Sequence, residues 1–172
     1  AGDSGVYRRK RRLKTWKRID ATRDLCRIWL VGDDLWVLGD HGAVLRIDPE
    51  DVVTRVELPV RADWYGLVAR DPERFTMVGN DGAVAVSGDA GASWRAGDSG
   101  ATGRVMGVAR LGRERLIAVG ESALVMTSSD GGLTWQKHKA PGAGDGCFWG
   151  VDSDDDGGAW IGGDGGRIFC VR

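Results

Sequence analysis

A strand-ending glycine recurs four times along this 172-residue chain, at Leu38-Gly39, Val78-Gly79, Val119-Gly120 and Ile161-Gly162, spaced by 40, 41 and 42 residues. A fixed period of this length constrains the fold more than any single residue does. Each unit is one supersecondary element that cannot bury its own apolar face, so neighbouring units must stack. After each Gly comes a short polar turn: Asp40-His41-Gly42, Asn80-Asp81-Gly82, Glu121-Ser122-Ala123 or Gly163-Asp164-Gly165. An apolar strand follows, over 43–47, 83–87, 124–128 and 167–171. Two apolar runs precede each Gly, the inner one over 27–31, 64–69, 104–109 and 147–152. Short apolar runs separated by turn residues, without helical periodicity, predict strands.

Two units continue with the same spelling. Ser87-Gly88-Asp89-Ala90-Gly91-Ala92-Ser93-Trp94 and Ser128-Ser129-Asp130-Gly131-Gly132-Leu133-Thr134-Trp135 both read Ser-x-Asp-x-Gly-x-Ser/Thr-Trp. An Asp opening a tight turn accepts hydrogen bonds from backbone N–H groups two or three residues on, and the Gly takes a positive φ at little cost. The Trp opens a further strand. Ser87, Asp89, Gly91, Trp94, Ser128, Asp130, Gly132 and Trp135 are therefore expected to be structural. Four antiparallel strands in each unit of about 40 residues predict an all-β, four-bladed propeller.

The fourth strand falls at 93–96 and 134–138, and in degenerate form at 54–58. The fourth unit stops before such a strand, whereas Thr15-Trp16-Lys17-Arg18-Ile19 has the same Thr-Trp opening. The spacing predicts that residues 15–19 pair with 167–171 and close the ring; the alternative is a larger ring completed by a second copy. The expected organisation is a basic arm over 1–14 and one domain over 15–172. Its blades lie at 26–58, 64–97, 104–139 and 147–172 plus 15–19.

The repeated Ser-x-Asp-x-Gly-x-Thr-Trp stretch resembles the Asp-box of the BNR-repeat β-propellers, which include photosystem II assembly-factor propellers, sortilin-type receptors and sialidases. The resemblance covers residues 13–172 and speaks for fold more than for function. It implies either a protein-interaction or assembly module or, alternatively, a carbohydrate-binding or sialidase-like propeller. The sialidases it resembles use an arginine triad, a Tyr nucleophile and an Arg-Ile-Pro motif. Here Arg18-Ile19-Asp20 lacks the Pro, and Tyr7 and Tyr65 are the only tyrosines.

Charge is unevenly placed. Residues 1–18 hold eight Lys or Arg and one acid, whereas 19–172 hold 16 basic and 24 acidic residues. Arg8, Arg9, Lys10, Arg11 and Arg12 make the arm a candidate docking element for an acidic protein, and alternatively for nucleic acid or an anionic membrane. The turns after the strand-ending glycines gather Asp40, His41, Asp81, Glu121 and Asp164 at one end of the blades, a candidate acidic mouth for a cationic partner. A protein partner or larger assembly is the expectation, and no enzymatic activity. Gly2-Asp3-Ser4-Gly5 and Gly97-Asp98-Ser99-Gly100 look like serine-protease nucleophile turns, but His41 and His138 are the only histidines and neither context supplies a general base.

No organic cofactor is expected. Asp152, Asp154 and Asp156 form an Asp-x-Asp-x-Asp-Gly run, a candidate Ca²⁺ loop. Gly163 stands where an EF-hand needs Glu, so an EF-hand is excluded. Three cysteines cannot make a complete disulfide framework. Residues 1–172 contain no hydrophobic leader and no apolar run long enough to span a membrane. The compartment is left open.

Overall fold

The computed structural model describes residues 5–8, 16–20, 25–139, 144–154 and 156–171. Each repeat folds as an antiparallel meander. Blade one is β3 (Leu25–Val31), β4 (Asp34–Gly39), β5 (Val44–Ile47) and β6 (Val53–Arg55), after an N-terminal hairpin of β1 (Val6–Arg8) and β2 (Lys17–Asp20). Blade two is β7 (Trp64–Ala69), β8 (Phe75–Gly79), β9 (Val84–Ser87) and β10 (Arg95–Ala96). Blade three is β11 (Val105–Arg110), β12 (Leu116–Gly120), β13 (Leu124–Ser128) and β14 (Gln136–Lys139). Blade four has three strands, β15 (Phe148–Ser153), β16 (Ala159–Gly163) and β17 (Ile168–Val171). The first strands pack in succession, β3 against β7, β7 against β11 and β11 against β15. Among the described residues no helix is long and apolar enough to cross a membrane.

The core is divided among the blade interfaces. Trp36, Leu38 and Val44 of blade one meet Trp64, Leu67, Phe75 and Met77 of blade two. Val78, Val84 and Val86 meet Val105, Ala118 and Met126 of blade three. Ile117, Val119 and Val125 meet Phe148, Ala159 and Ile161 of blade four. This is the period of two at work: alternate residues of each strand serve the blade before and the blade after.

Two sequence expectations need correction. The strand at 15–19 does not pair with 167–171. Instead β2 pairs with β1, with Tyr7 opposite Arg18 and Arg8 opposite Lys17. Val6 is buried against Leu25, Val37, Leu45 and Ile47 of blade one. Arg8 and Lys17 both reach Asp51, at 2.6 and 3.0 Å. A local hairpin closes a far shorter loop than a pairing across the whole chain. A strand does follow Trp16, but in a two-stranded sheet that precedes blade one; the expected arm over 1–14 thus contains a strand. The second correction is the fourth landmark. Gly163, not Gly162, pairs with Phe148 and precedes the turn, as Gly39, Gly79 and Gly120 do in their blades. Consecutive glycines at 162 and 163 hid this one-residue slip, which exchanges the faces of every β16 side chain.

With the register corrected, the outward face of blade four is seen to be uncovered, and that of blade one to be covered only in part, by the hairpin. Leu67 is 4% exposed between blades, whereas its counterpart Ile28 on β3 is 48% exposed. On blade four, Ile168 is 71% exposed where Val84 of blade two is 1%. A Cβ on Gly66 would meet Val108 of the next blade and one on Gly107 would meet Val151, but one on the equivalent Gly150 meets nothing within 4 Å. The four blade sheets form an arc, and no ring closure is seen among the described residues.

Candidate functional site

The Ser-x-Asp-x-Gly-x-Ser/Thr-Trp turns join third and fourth strands, and both have the same wiring. Asp89 Oδ1 accepts from the Ser87 hydroxyl at 2.9 Å and the Ser93 N–H at 2.8 Å, and Oδ2 from the Ser93 hydroxyl at 2.6 Å. Asp130 repeats this with Ser128, Leu133 and Thr134 at 2.6–3.0 Å. Desolvation alone would raise the Asp130 carboxyl; the donors from Thr134, Ser128 and Leu133 outweigh it and hold the group at about 2. The hydroxyl and backbone of Ser93, with Ser87, hold Asp89 low as well. Every carboxylate oxygen is engaged within its own turn.

The glycines of these turns do more than relax the backbone. A Cβ on Gly91 would stand 2.3 Å from Trp36 of blade one, and one on Gly132 would stand 2.6 Å from Thr76 of blade two. Trp94 donates to Gly91 O and packs edge-on to Trp36, with ring centroids 6.0 Å apart. Each turn is thus a seat for the preceding blade.

The strand directions put the turns between second and third strands at one end of the blades, together with the loops that lead into the next blade. Backbone and side-chain bonds join them: His41 N–H to Asp63, Gly82 N–H to Gly103 O, Ala123 N–H to Gly146 O. Asp40, His41, Asp81, Glu121 and Asp164 share this end, but several carboxylates here are committed. Glu121 accepts from the Arg104 N–H at 3.1 Å; Asp164 accepts from the Cys147 N–H at 2.8 Å and the Trp149 indole at 2.7 Å. The Cys147 N–H and the Trp149 indole hold the Asp164 carboxyl below its ordinary value. Arg8 is tied to Asp51 and Pro49 O. Arg9, Lys10, Arg11 and Arg12 lie outside the described residues. Asp152 lies on β15 and Asp154 in the following turn, where Asp154 Oδ1 accepts from the Asp156 and Gly158 N–H groups at 3.1 and 2.7 Å. Among the described residues no three His, Cys, Asp or Glu side chains are grouped to hold a metal.

The opposite end carries an arrangement that the sequence reading missed. The turns between first and second strands of blades two, three and four line a cleft of about 620 Å³. Arg70, Arg74, Arg110 and Arg113 converge on it, with Asp71 and Asp154. Arg70 is 8% exposed; it donates to Glu114, and its Nε has no partner among the described residues. Arg74 is shared between Glu114 and Asp71, at 2.6 Å from Asp71 Oδ2, and this partner holds the Asp71 carboxyl at about 2. Arg110 gives one bond, to Arg70 O at 3.0 Å. Exposed Arg113 has no hydrogen bond or ion pair among the described residues. The acids therefore fix Arg70 and Arg74, while Arg110 and Arg113 keep donors open among the described residues. The available signal was the arginine density of segments 70–74 and 110–115.

Stacked four-stranded meanders, Asp-box turns seating each blade on the last, and turn-lined clefts define an Asp-box β-propeller. The chain belongs to the family described as photosynthesis system II assembly factor YCF48, whose model matches residues 1–171. A search of curated proteins finds no match. Among solved structures, a YCF48 bound to D1 peptide aligns at TM-score 0.65 and 20% identity, over 91% of this chain and 53% of that one. YCF48 from Cyanidioschyzon merolae aligns at TM-score 0.62 and 22% identity, over 90% and 56%. An ancestral GH74 enzyme aligns at TM-score 0.77 and 13% identity, over 97% and 25%. At such identities these likenesses show the fold alone, and propellers of both binding and enzymatic kinds share it. The chain spans about half the length of the YCF48 structures it matches.

Proposed function

We propose that this chain is a non-catalytic docking module for assembly, and that its arginine cleft receives an anionic segment of a partner protein. The observation that carries this reading is the pair Arg110 and Arg113, whose guanidinium donors stay open among the described residues beside the fixed Arg70 and Arg74. A carboxylate set there gains charge-assisted, two-pronged hydrogen bonds in a partly desolvated cleft. A YCF48 relative was solved with a D1 peptide, which makes a peptide ligand a sensible probe.

The test is fluorescence anisotropy with a labelled D1 peptide at low and high salt. Binding is expected to weaken as salt rises, and the Arg110→Glu, Arg113→Glu double variant should lose affinity by roughly tenfold or more. Unchanged affinity in a variant with unchanged melting would overturn the assignment.

A further inference from the structure

We infer that the docking face has a second, apolar subsite beside the arginine cleft, and that the partner segment it fits is an extended peptide carrying a large apolar side chain next to its acidic residues. This deepens the reading above and rests on it. Between blades one and two lies a second cleft of about 610 Å³, and Asp71 lines both clefts, so the two share a wall. Its lining is of a different kind. Leu30, Val31 and Ala69 give it apolar surface above the buried Trp36 and Phe75, which stand edge to face at 5.4 Å, and Asp33, Asp34 and Arg46 line its other side, Asp34 and Arg46 as an ion pair.

Two copies of one short motif form its rim. Asp48-Pro49-Glu50 lies between the third and fourth strands of blade one, and Asp71-Pro72-Glu73 between the first and second strands of blade two. In each the Asp carboxylate accepts from the backbone N–H two residues on, at 3.0 Å, which locks the turn. Pro49 and Pro72 are exposed and both line the cleft. Proline has a fixed φ and little side-chain freedom to lose, so a pair of them presents a rigid apolar gap at low entropic cost. The two prolines and exposed Leu30, beside a cationic cleft, are complementary to one segment with apolar and anionic parts in succession.

The probes are two fluorescein-labelled peptides, Leu-Ser-Gly-Glu-Glu-Glu and Ser-Ser-Gly-Glu-Glu-Glu, together with the same pair in reversed order. In at least one order the Leu peptide should bind the intact chain about tenfold more tightly, the gain expected from burying one such side chain. The Pro49→Ser, Pro72→Ser variant should bring the Leu peptide down to the affinity of the Ser peptide and leave the Ser peptide unchanged. Arg110→Glu with Arg113→Glu should abolish both. Equal affinity of the two peptides in both orders overturns the apolar subsite while leaving the arginine cleft standing. Loss of both peptides in the proline variant, at unchanged melting, also overturns it. If no peptide binds the intact chain at low salt, the docking function itself fails.

Discussion

Replacing Gly91 by Ala separates the seating role of the Asp-box from its turn geometry. Gly91 sits at φ +81°, and an added Cβ would lie 2.3 Å from Trp36 Cη2 and 2.9 Å from Cζ2. Trp36 is 1% exposed and wedged against Phe75 and Trp94, so its ring cannot swing aside. Overpacking of a well-filled interior costs about 1–3 kcal/mol, and a left-handed alanine about 1 kcal/mol more. A loss of about 2–4 kcal/mol lowers the melting temperature of a chain this size by on the order of 10 °C. Gly88, three residues earlier, is the internal control: a Cβ there meets nothing within 4 Å and its φ is not in the left-handed range. Gly88→Ala should fall within about 0.5 kcal/mol of the parent. Urea and thermal melts of both variants, followed by far-ultraviolet circular dichroism, decide the matter. If Gly91→Ala melts with Gly88→Ala, the turn is not seated on Trp36 and the account of blade stacking is wrong.

Three further outcomes are expected. The Asp130 carboxyl lies at about 2 in the folded chain, below the ordinary value of about 3.9. Its stabilisation is present above that ordinary value and is lost as pH falls through the folded one. Asp130→Asn should therefore be less stable than the parent at neutral pH, with the gap closing between about pH 4 and pH 2; a gap that does not change with pH would place the effect elsewhere. Ile168→Lys on the open face of blade four should change stability by less than about 0.5 kcal/mol, whereas Val84→Lys at the equivalent buried position should abolish cooperative unfolding; equal effects would mean that the face is covered. Removing residues 1–20 uncovers Leu25, Val37 and Leu45 of blade one, so the shortened chain should melt lower and bind more of a hydrophobic dye. An unchanged melt would show that the hairpin contributes nothing to blade one.

The meanders of blades one to three and the wiring of the Asp-box were legible because each is local. A Ser-x-Asp-x-Gly-x-Ser/Thr-Trp run carries its own donors and acceptors within eight residues, and the structure reproduces both copies almost bond for bond. The errors came where two distant segments compete for one place. Thr15-Trp16 announces a strand, but nothing local says whether its partner is β1 or β17. That choice is made by Val6, which packs on Leu25 and Val37. Likewise Gly162 and Gly163 are interchangeable in the sequence, and pairing with Phe148 separates them.

The candidate site was the least legible part, for a reason that also bears on function. Acidic residues in the turns after Gly39, Gly120 and Gly163 stand out in the sequence, yet Glu121 and Asp164 spend oxygens on the start of their own blade, at Arg104 and at Cys147 and Trp149. A carboxylate that accepts two fixed donors is a staple and has little left for a partner. The arginine cleft reverses this. Arg70 and Arg74 come from one blade, Arg110 and Arg113 from the next, and Asp154 from a third. In one dimension they are scattered among the acids of ordinary surface turns. Only the stacking of blades shows that Glu114 is shared by Arg70 and Arg74, while the other two guanidiniums make no ion pair among the described residues. Function in such a repeat protein is read from the charges left over after the internal pairs are made, and that remainder is a property of the interfaces between repeats.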